Sequence, residues 1–172
     1  MGSSWIVVGP TGSGSVTKLA NQIMVNVNIC AVAEALVLAQ KAGADPKKVF
    51  EAVRCGLAGS TVLETKAPKM FNRDFKAGGT IKVNLKDITN VMNTARDLQV
   101  PLFLSGIVQQ IQLSLKQSGH IMDDHAATFS STNRIPVSLS KRKKNKKCRR
   151  GDYHGESIKR RIIQYPSGCT GE

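Results

Sequence analysis

Aromatic residues are scarce in this 172-residue chain, with one tryptophan, two tyrosines and five phenylalanines. An apolar core therefore has to be built from aliphatic side chains. Acidic residues are also few: 12 Asp and Glu stand against 25 Lys and Arg, a formal net charge of +13. The excess is uneven, because Lys141 to Glu172 alone carries eleven basic and three acidic residues. The four cysteines, Cys30, Cys55, Cys148 and Cys169, form no C-x-x-C pair. That spacing argues against a zinc ribbon or a dithiol redox motif, and reduced thiols in an intracellular protein are expected. No run of about 18 apolar residues free of polar interruption occurs, and the start shows no basic stretch followed by an apolar one. Neither a membrane span nor a signal peptide is expected, and the expected location is cytoplasmic.

Nucleotide-binding signatures are incomplete as well. No Gly-x-Gly-x-x-Gly follows an opening strand, with an acidic residue about 20 positions further on to hold a ribose. Trp5-Ile6-Val7-Val8 reads as a short buried strand, and Gly9-x-x-x-x-Gly14 has the first half of a phosphate-loop spacing. The lysine that must follow the second glycine is replaced by Ser15, and Lys18 comes about one helical turn too late to take its place. A nucleotidase is not indicated. His120 and His125 bracket Asp123 and Asp124, but helical metal ligands are usually four apart rather than five, so no metal is expected there.

What the chain does contain is one long helix. No proline or glycine interrupts the stretch between Gly14 and Gly43, and Val16, Leu19, Ala20, Ile23, Met24, Val27, Ala31, Leu36 and Leu38 recur at helical spacing. Val25, Ile29, Cys30, Val32, Ala33 and Val37 wrap most of the remaining circumference, the pattern of a central helix packed on several sides. Near its start Lys18, Asn21 and Gln22 stand at i, i+3 and i+4, projecting an ammonium and two amides from one face. On spacing alone such a face is more often solvated than functional.

The rest reads as shorter helices. Asp45 is a candidate N-cap with Pro46 at the first position of a helix ending near Arg54. Gly56, Gly59 and Ser60 make a turn, which either borders a ligand or merely joins two helices. Thr61-x-x-Glu64 reads as a capping box for the next helix, which Pro68 is expected to bend. After a loop from Asn72 to Thr80, the residues Val83, Leu85, Ile88, Val91, Met92, Ala95 and Leu98 mark an amphipathic helix with Lys86 and Asp87 on its polar side. Beyond Pro101, Ser105 is a candidate cap for a helix running to Gly119. Asp123 to Ala127 should open a last helix. The fold class expected is all-α.

Three motifs carry a resemblance. Gly12-Ser13-Gly14-x-x-x-Lys18-x-x-Asn21-Gln22, then Gly56 to Leu63 followed by Lys66-Ala67-Pro68, then Phe75-Lys76-Ala77-Gly78 leading to Lys86-Asp87, together resemble the β-hydroxyacid dehydrogenase family. This family includes 3-hydroxyisobutyrate dehydrogenase, and the middle motif is similar to its tartronate semialdehyde reductase branch. The resemblance covers roughly Ile6 to Ala127 and is to the carboxy-terminal half of such an enzyme. It implies a helical substrate-closing and dimerisation domain like that of 6-phosphogluconate dehydrogenase, over residues 12–127, preceded in 1–11 by a remnant of the last Rossmann strand and a linker. It further implies NAD(P) as cofactor, a small 3-hydroxy or 3-oxo acid as substrate and homo-oligomers through the helical domain. By resemblance Lys18 is the catalytic lysine, Asn21 and Gln22 bind substrate, and Lys86 lies near the cofactor. Two departures stand out: Gly79 where relatives tend to carry phenylalanine, and Cys55 where the reductases usually have glycine. Without a Rossmann half, the chain is expected to be inactive alone.

From Thr128 to Glu172 the composition changes to a basic tail expected to be disordered. It reads either as sequence foreign to the family or as a nucleic-acid-binding arm held by phosphate contacts. The latter defines the alternative function: a non-catalytic helical dimerisation module with a basic arm.

Overall fold

The computed structural model describes residues 6–134, and over that span the chain is helical. Helix α1 (Ser13–Lys41) is followed by α2 (Pro46–Val53), α3 (Thr61–Asn72), α4 (Ile81–Asp97) and α5 (Phe103–Gln117), then a 3-10 turn (His125–Ala127) and α6 (Thr128–Arg134). The only β pairing among the described residues is an isolated bridge between Thr80 and Asp124. Ile6, Val7 and Val8 are exposed and not in a strand, so the buried strand expected there is not formed by its described residues. A strand needs a partner edge to satisfy its amides, and no described segment offers one.

Helix α1 packs against every other helix, as its apolar circumference requires. Its length and mean hydropathy alone would suit a membrane span, but Lys18, Asn21, Gln22, Asn26, Asn28 and Glu34 interrupt its apolar run. Its carboxy-terminal half is nevertheless a core element: Ile29, Val32, Ala33, Leu36 and Val37 are buried with Phe50 of α2, Leu63, Ala67 and Met70 of α3, and Phe129 of α6. A second cluster joins Ile88 and Val91 of α4 to Val108 of α5, with Leu19, Ile23 and Val27 of α1 against them. Burying aliphatic side chains on this scale supplies the stability that aromatics would otherwise bring.

Local signals account for most helix ends. Gly12 caps α1 at φ 97°, a left-handed conformation that favours glycine. Asp45 accepts from the Lys47 amide with Pro46 behind it. The cap of α3 is Ser60 rather than Thr61: its hydroxyl accepts from the Leu63 amide and from Asn28 of α1. Glu64 is then free of the capping box and pairs with Arg54. Gly59 is needed because a Cβ there would collide with the Arg54 carbonyl, so this turn is glycine-rich for its own chain. Helix α3 runs through Pro68. Ser105, expected as a cap, is buried inside α5, which starts at Phe103 without a side-chain cap.

The helical part also extends past Ala127. Phe129 is 2% exposed in the core beside Ile29 and Met70, so the boundary expected at residue 128 falls later in the fold. The single aromatic ring outweighs the polar Ser-Ser-Thr-Asn that follows it. The basic run Lys141 to Arg150, and both readings of it, lie outside the described residues. Cys30 is a free thiol, whereas Cys55 is disulfide-bonded, which corrects the expectation of reduced thiols throughout.

Candidate active site

The amino-terminal half of α1 carries a polar stripe that runs from solvent into the core. Lys18 and Asn21 are exposed, Gln22 is half-buried and Asn26 is buried. Neither Lys18 nor Asn21 has a side-chain hydrogen bond or ion pair to any described residue, so both remain available to a ligand. Deeper along the stripe, the Asn26 side chain donates to the backbone carbonyl of Gln22 at 2.8 Å and accepts from Gln112 of α5 at 2.8 Å. That buried amide pair pins the stripe between α1 and α5. Asn26 and Gln112 carry no motif, and only their burial marks them.

Tertiary packing then joins the stripe to α4. The Gln22 amide donates to Oδ2 of Asp87, across 65 positions of sequence, and Asp87 is buried at 6% exposure. This bond orients the Gln22 side-chain amide and leaves its Oε1 unspent. Lys86, one residue from Asp87, points into an open groove of about 420 Å³. The groove is lined by Lys82, Lys86, Lys116, Leu85, Thr89, Asn90, Ile121 and Met122. The fold thus holds Gln22 of the α1 stripe against α4 through Asp87, whereas the groove lined by Lys86 contains no residue of α1. Ammonium and amide donors above an apolar floor fit the phosphates and rings of a dinucleotide.

A second polar centre lies behind this face. Asp124, 0% exposed, accepts from Lys66 Nζ at 3.1 Å, from the amides of Gly78 and Gly79 at 3.1 Å and from the Ala126 amide at 2.9 Å. Lys69 Nζ lies 3.7 Å away. Burial pushes the carboxyl pKa up, but the Ala126 and Gly79 amides and the Lys66 ammonium outweigh it and bring it down from 3.8 to about 2. Lys66 was visible in sequence only as part of a motif, and Asp124 only as one of two adjacent acids. Among the described residues no group of three His, Cys, Asp or Glu is placed to hold a metal ion.

His125 packs over Gly79, where an added Cβ would sit 3.3 Å from its Cε1. The imidazole therefore occupies the space a side chain at 79 would need. Both ring nitrogens are buried without a hydrogen-bond partner. Burial and the Lys66 ammonium lower its pKa from 6.5 to about 4. The unfolded chain thus binds a proton that the folded one refuses between those values. The contribution is fully present above pH 6.5 and is lost as pH falls toward 4. Replacing His125 by Phe is expected to flatten the stability loss between pH 7 and pH 5, a difference on the order of 2 kcal/mol. Urea unfolding at both pH values measures it; parallel losses in the two proteins would refute the assignment.

A family model described as "NAD-binding of NADP-dependent 3-hydroxyisobutyrate dehydrogenase" matches residues 12–131. The chain is 37% identical over 127 residues to the 2-hydroxy-3-oxopropionate reductase of Escherichia coli K12, covering 74% of this chain and 44% of the reductase. It is 30% identical over 118 residues to the L-threonate dehydrogenase of Cupriavidus necator, covering 69% of this chain and 40% of that protein. Among solved structures, the 3-hydroxyisobutyrate dehydrogenase of Salmonella typhimurium superposes with a TM-score of 0.67 at 27% identity, over 70% of this chain and 42% of that one. The chain spans less than half the length of these relatives.

Proposed function

Because the chain belongs to the NADP-dependent 3-hydroxyisobutyrate dehydrogenase family, we propose that it supplies the helical half of an NAD(P)-dependent oxidoreductase for small 3-hydroxy or 3-oxo acids. The tartronate semialdehyde to glycerate interconversion is the closest type. The observation that supports this reading is the Gln22–Asp87 bond, which holds the polar stripe of α1 that begins at Lys18 against α4. When bound, the dinucleotide carries the hydride. Lys86 would hold it along the groove.

The residues of this chain do the remaining work. Negative charge builds on the substrate oxygen as a carbonyl is reduced, and the Lys18 ammonium stabilises that charge and donates the proton. In the oxidative direction the neutral amine takes the proton back. Asn21 and the free Oε1 of Gln22 orient the substrate's hydroxyl or carboxylate, so that the reacting atoms meet in one geometry. Lys18 is exposed here, and its electrostatic effect grows once a second domain closes over it and excludes water. For that reason we take the chain to be inactive without a Rossmann half. Self-association through the helical domain is supported by the apolar stripe of Phe103, Leu104 and Ile107 on α5, each at least 60% exposed.

A chimera tests the reading. Residues 12–131 of this chain, joined behind the amino-terminal half of the Escherichia coli reductase, should oxidise NADPH or NADH in the presence of tartronate semialdehyde. The unfused chain should not. A folded chimera that binds cofactor but turns over none of a panel of small 3-oxo acids would sink it.

A further inference from the structure

The fold holds Gln22 twice, once by its side chain and once by its backbone. Its Nε2 donates to Oδ2 of Asp87 on α4. Its backbone carbonyl accepts from the Asn26 side chain one turn further along α1, and Asn26 Oδ1 in turn accepts from Gln112 of α5, 86 positions away. Asn26 is 1% exposed and Gln112 is 3% exposed.

The polarity of the buried chain is fixed from its first member. A carbonyl oxygen can only accept, so Asn26 must turn its amide nitrogen toward Gln22 and its oxygen away. Only a donor can meet that oxygen, so Gln112 must present its own nitrogen. Gln112 Oε1 is then left buried with no hydrogen-bond partner among the described residues. An orphaned acceptor destabilises the fold, whereas two apolar side chains of the same shape would be neutral or better. Both positions suit such side chains. Gln112 shares the buried face of α5 with Val108 and Leu115, and Asn26 opens the buried face of α1 that continues through Ile29 and Ala33. Local choices that oppose packing mark functional positions. What the pair adds is direction: hydrophobic contact is non-directional, while a hydrogen-bonded chain has preferred angles and fixes how this turn of α1 faces α5.

We propose that Asn26 and Gln112 are positioning residues for Gln22. They fix the backbone of its turn against α5 while Asp87 fixes its side chain against α4. Gln22 Oε1 thereby keeps one orientation, as an acceptor for a substrate hydroxyl. The substrate role of Gln22 rests on the functional reading above; the positioning of its amide does not.

The test uses the full chain and reads the Gln22 side-chain amide protons by NMR, through their rate of exchange with water. The wild type is compared with Asn26→Leu/Gln112→Leu, with Gln112→Leu and with Val108→Ala. Val108 packs in the cluster that joins α1, α4 and α5 but takes no part in either set of hydrogen bonds. Exchange should rise about tenfold in the double variant, as expected when a hydrogen bond to a charged group is loosened. It should rise less in Gln112→Leu, where Asn26 keeps its bond to the Gln22 carbonyl. Val108→Ala lowers Tm through the cavity it leaves, yet should change the exchange by less than about twofold. The double variant should not lose Tm, because it removes the orphaned acceptor. Unchanged exchange in the double variant overturns the assignment. So does an equal rise in Val108→Ala, or a fall in Tm of the double variant as large as that of Val108→Ala, since the pair would then serve packing alone. Exchange is read without turnover, so an inactive chimera would remove the substrate role of Gln22 and leave this result standing.

Discussion

In the chimera, Lys18→Ala should lower kcat by about 10³-fold, within the range for losing a positioned proton donor that also stabilises developing charge. KM should change far less, because the ammonium acts on charge that appears in the transition state rather than on the bound acid. Lys18→Arg keeps the charge but holds its proton too tightly to donate it, so its rate should stay at least about 10²-fold below that of the parent. Lys18 is exposed and has no side-chain hydrogen bond or ion pair to any described residue, so neither substitution should move the thermal unfolding curve. That separation distinguishes a catalytic lysine from a structural one. A variant within about threefold of the parent rate would leave the non-catalytic dimerisation module as the better account of the chain.

Asp124→Ala should be the most damaging single substitution for stability, at about 3–5 kcal/mol, the usual penalty for breaking a buried charge pair from one side. The cost comes from what remains: three backbone amides without an acceptor and a Lys66 ammonium only 15% exposed. For a helical unit of this size the fall in Tm should be roughly 10–20 °C, read by circular dichroism. Asp124→Asn, which keeps an acceptor but not the charge, should lose about half as much. A loss below about 1 kcal/mol for the alanine variant would show that the amides find water instead. The carboxyl also sets an acid limit. Its folded pKa of about 2 lies below the ordinary 3.8, so its contribution is present above pH 4 and is lost as pH falls through that value toward 2. His125 loses its own contribution at higher pH, and acid should therefore unfold the domain in two overlapping stages.

Much of this was legible in the residues. The long helix followed from an uninterrupted apolar period between two glycines, and α2 from Asp45-Pro46. Lys18, Asn21, Gln22 and Lys86 were singled out by motifs whose spacing survives in this chain, and their roles are what the proposed substitutions test. The errors have specific causes. Ser60 replaced Thr61 as a cap because Asn28 of a distant helix also binds it. Phe129 prolonged the fold because a hydrophobic pocket was waiting for it, which no window of polar sequence reveals. The Ile6 to Val8 segment reads as a strand by composition, yet strands are completed only by partners.

By itself the sequence determined the helical class, the approximate element ends and the family, since periodicity, caps and motif spacing act over a few residues. The tertiary structure alone decided that Gln22 meets Asp87, that Lys66 meets Asp124 across 58 positions, and that Lys116 faces Lys82 and Lys86 across one groove. Such encounters depend on how α1, α4 and α5 cross, which is set by the packing of buried Ile88, Val91 and Val108 against α1 and not by any local rule.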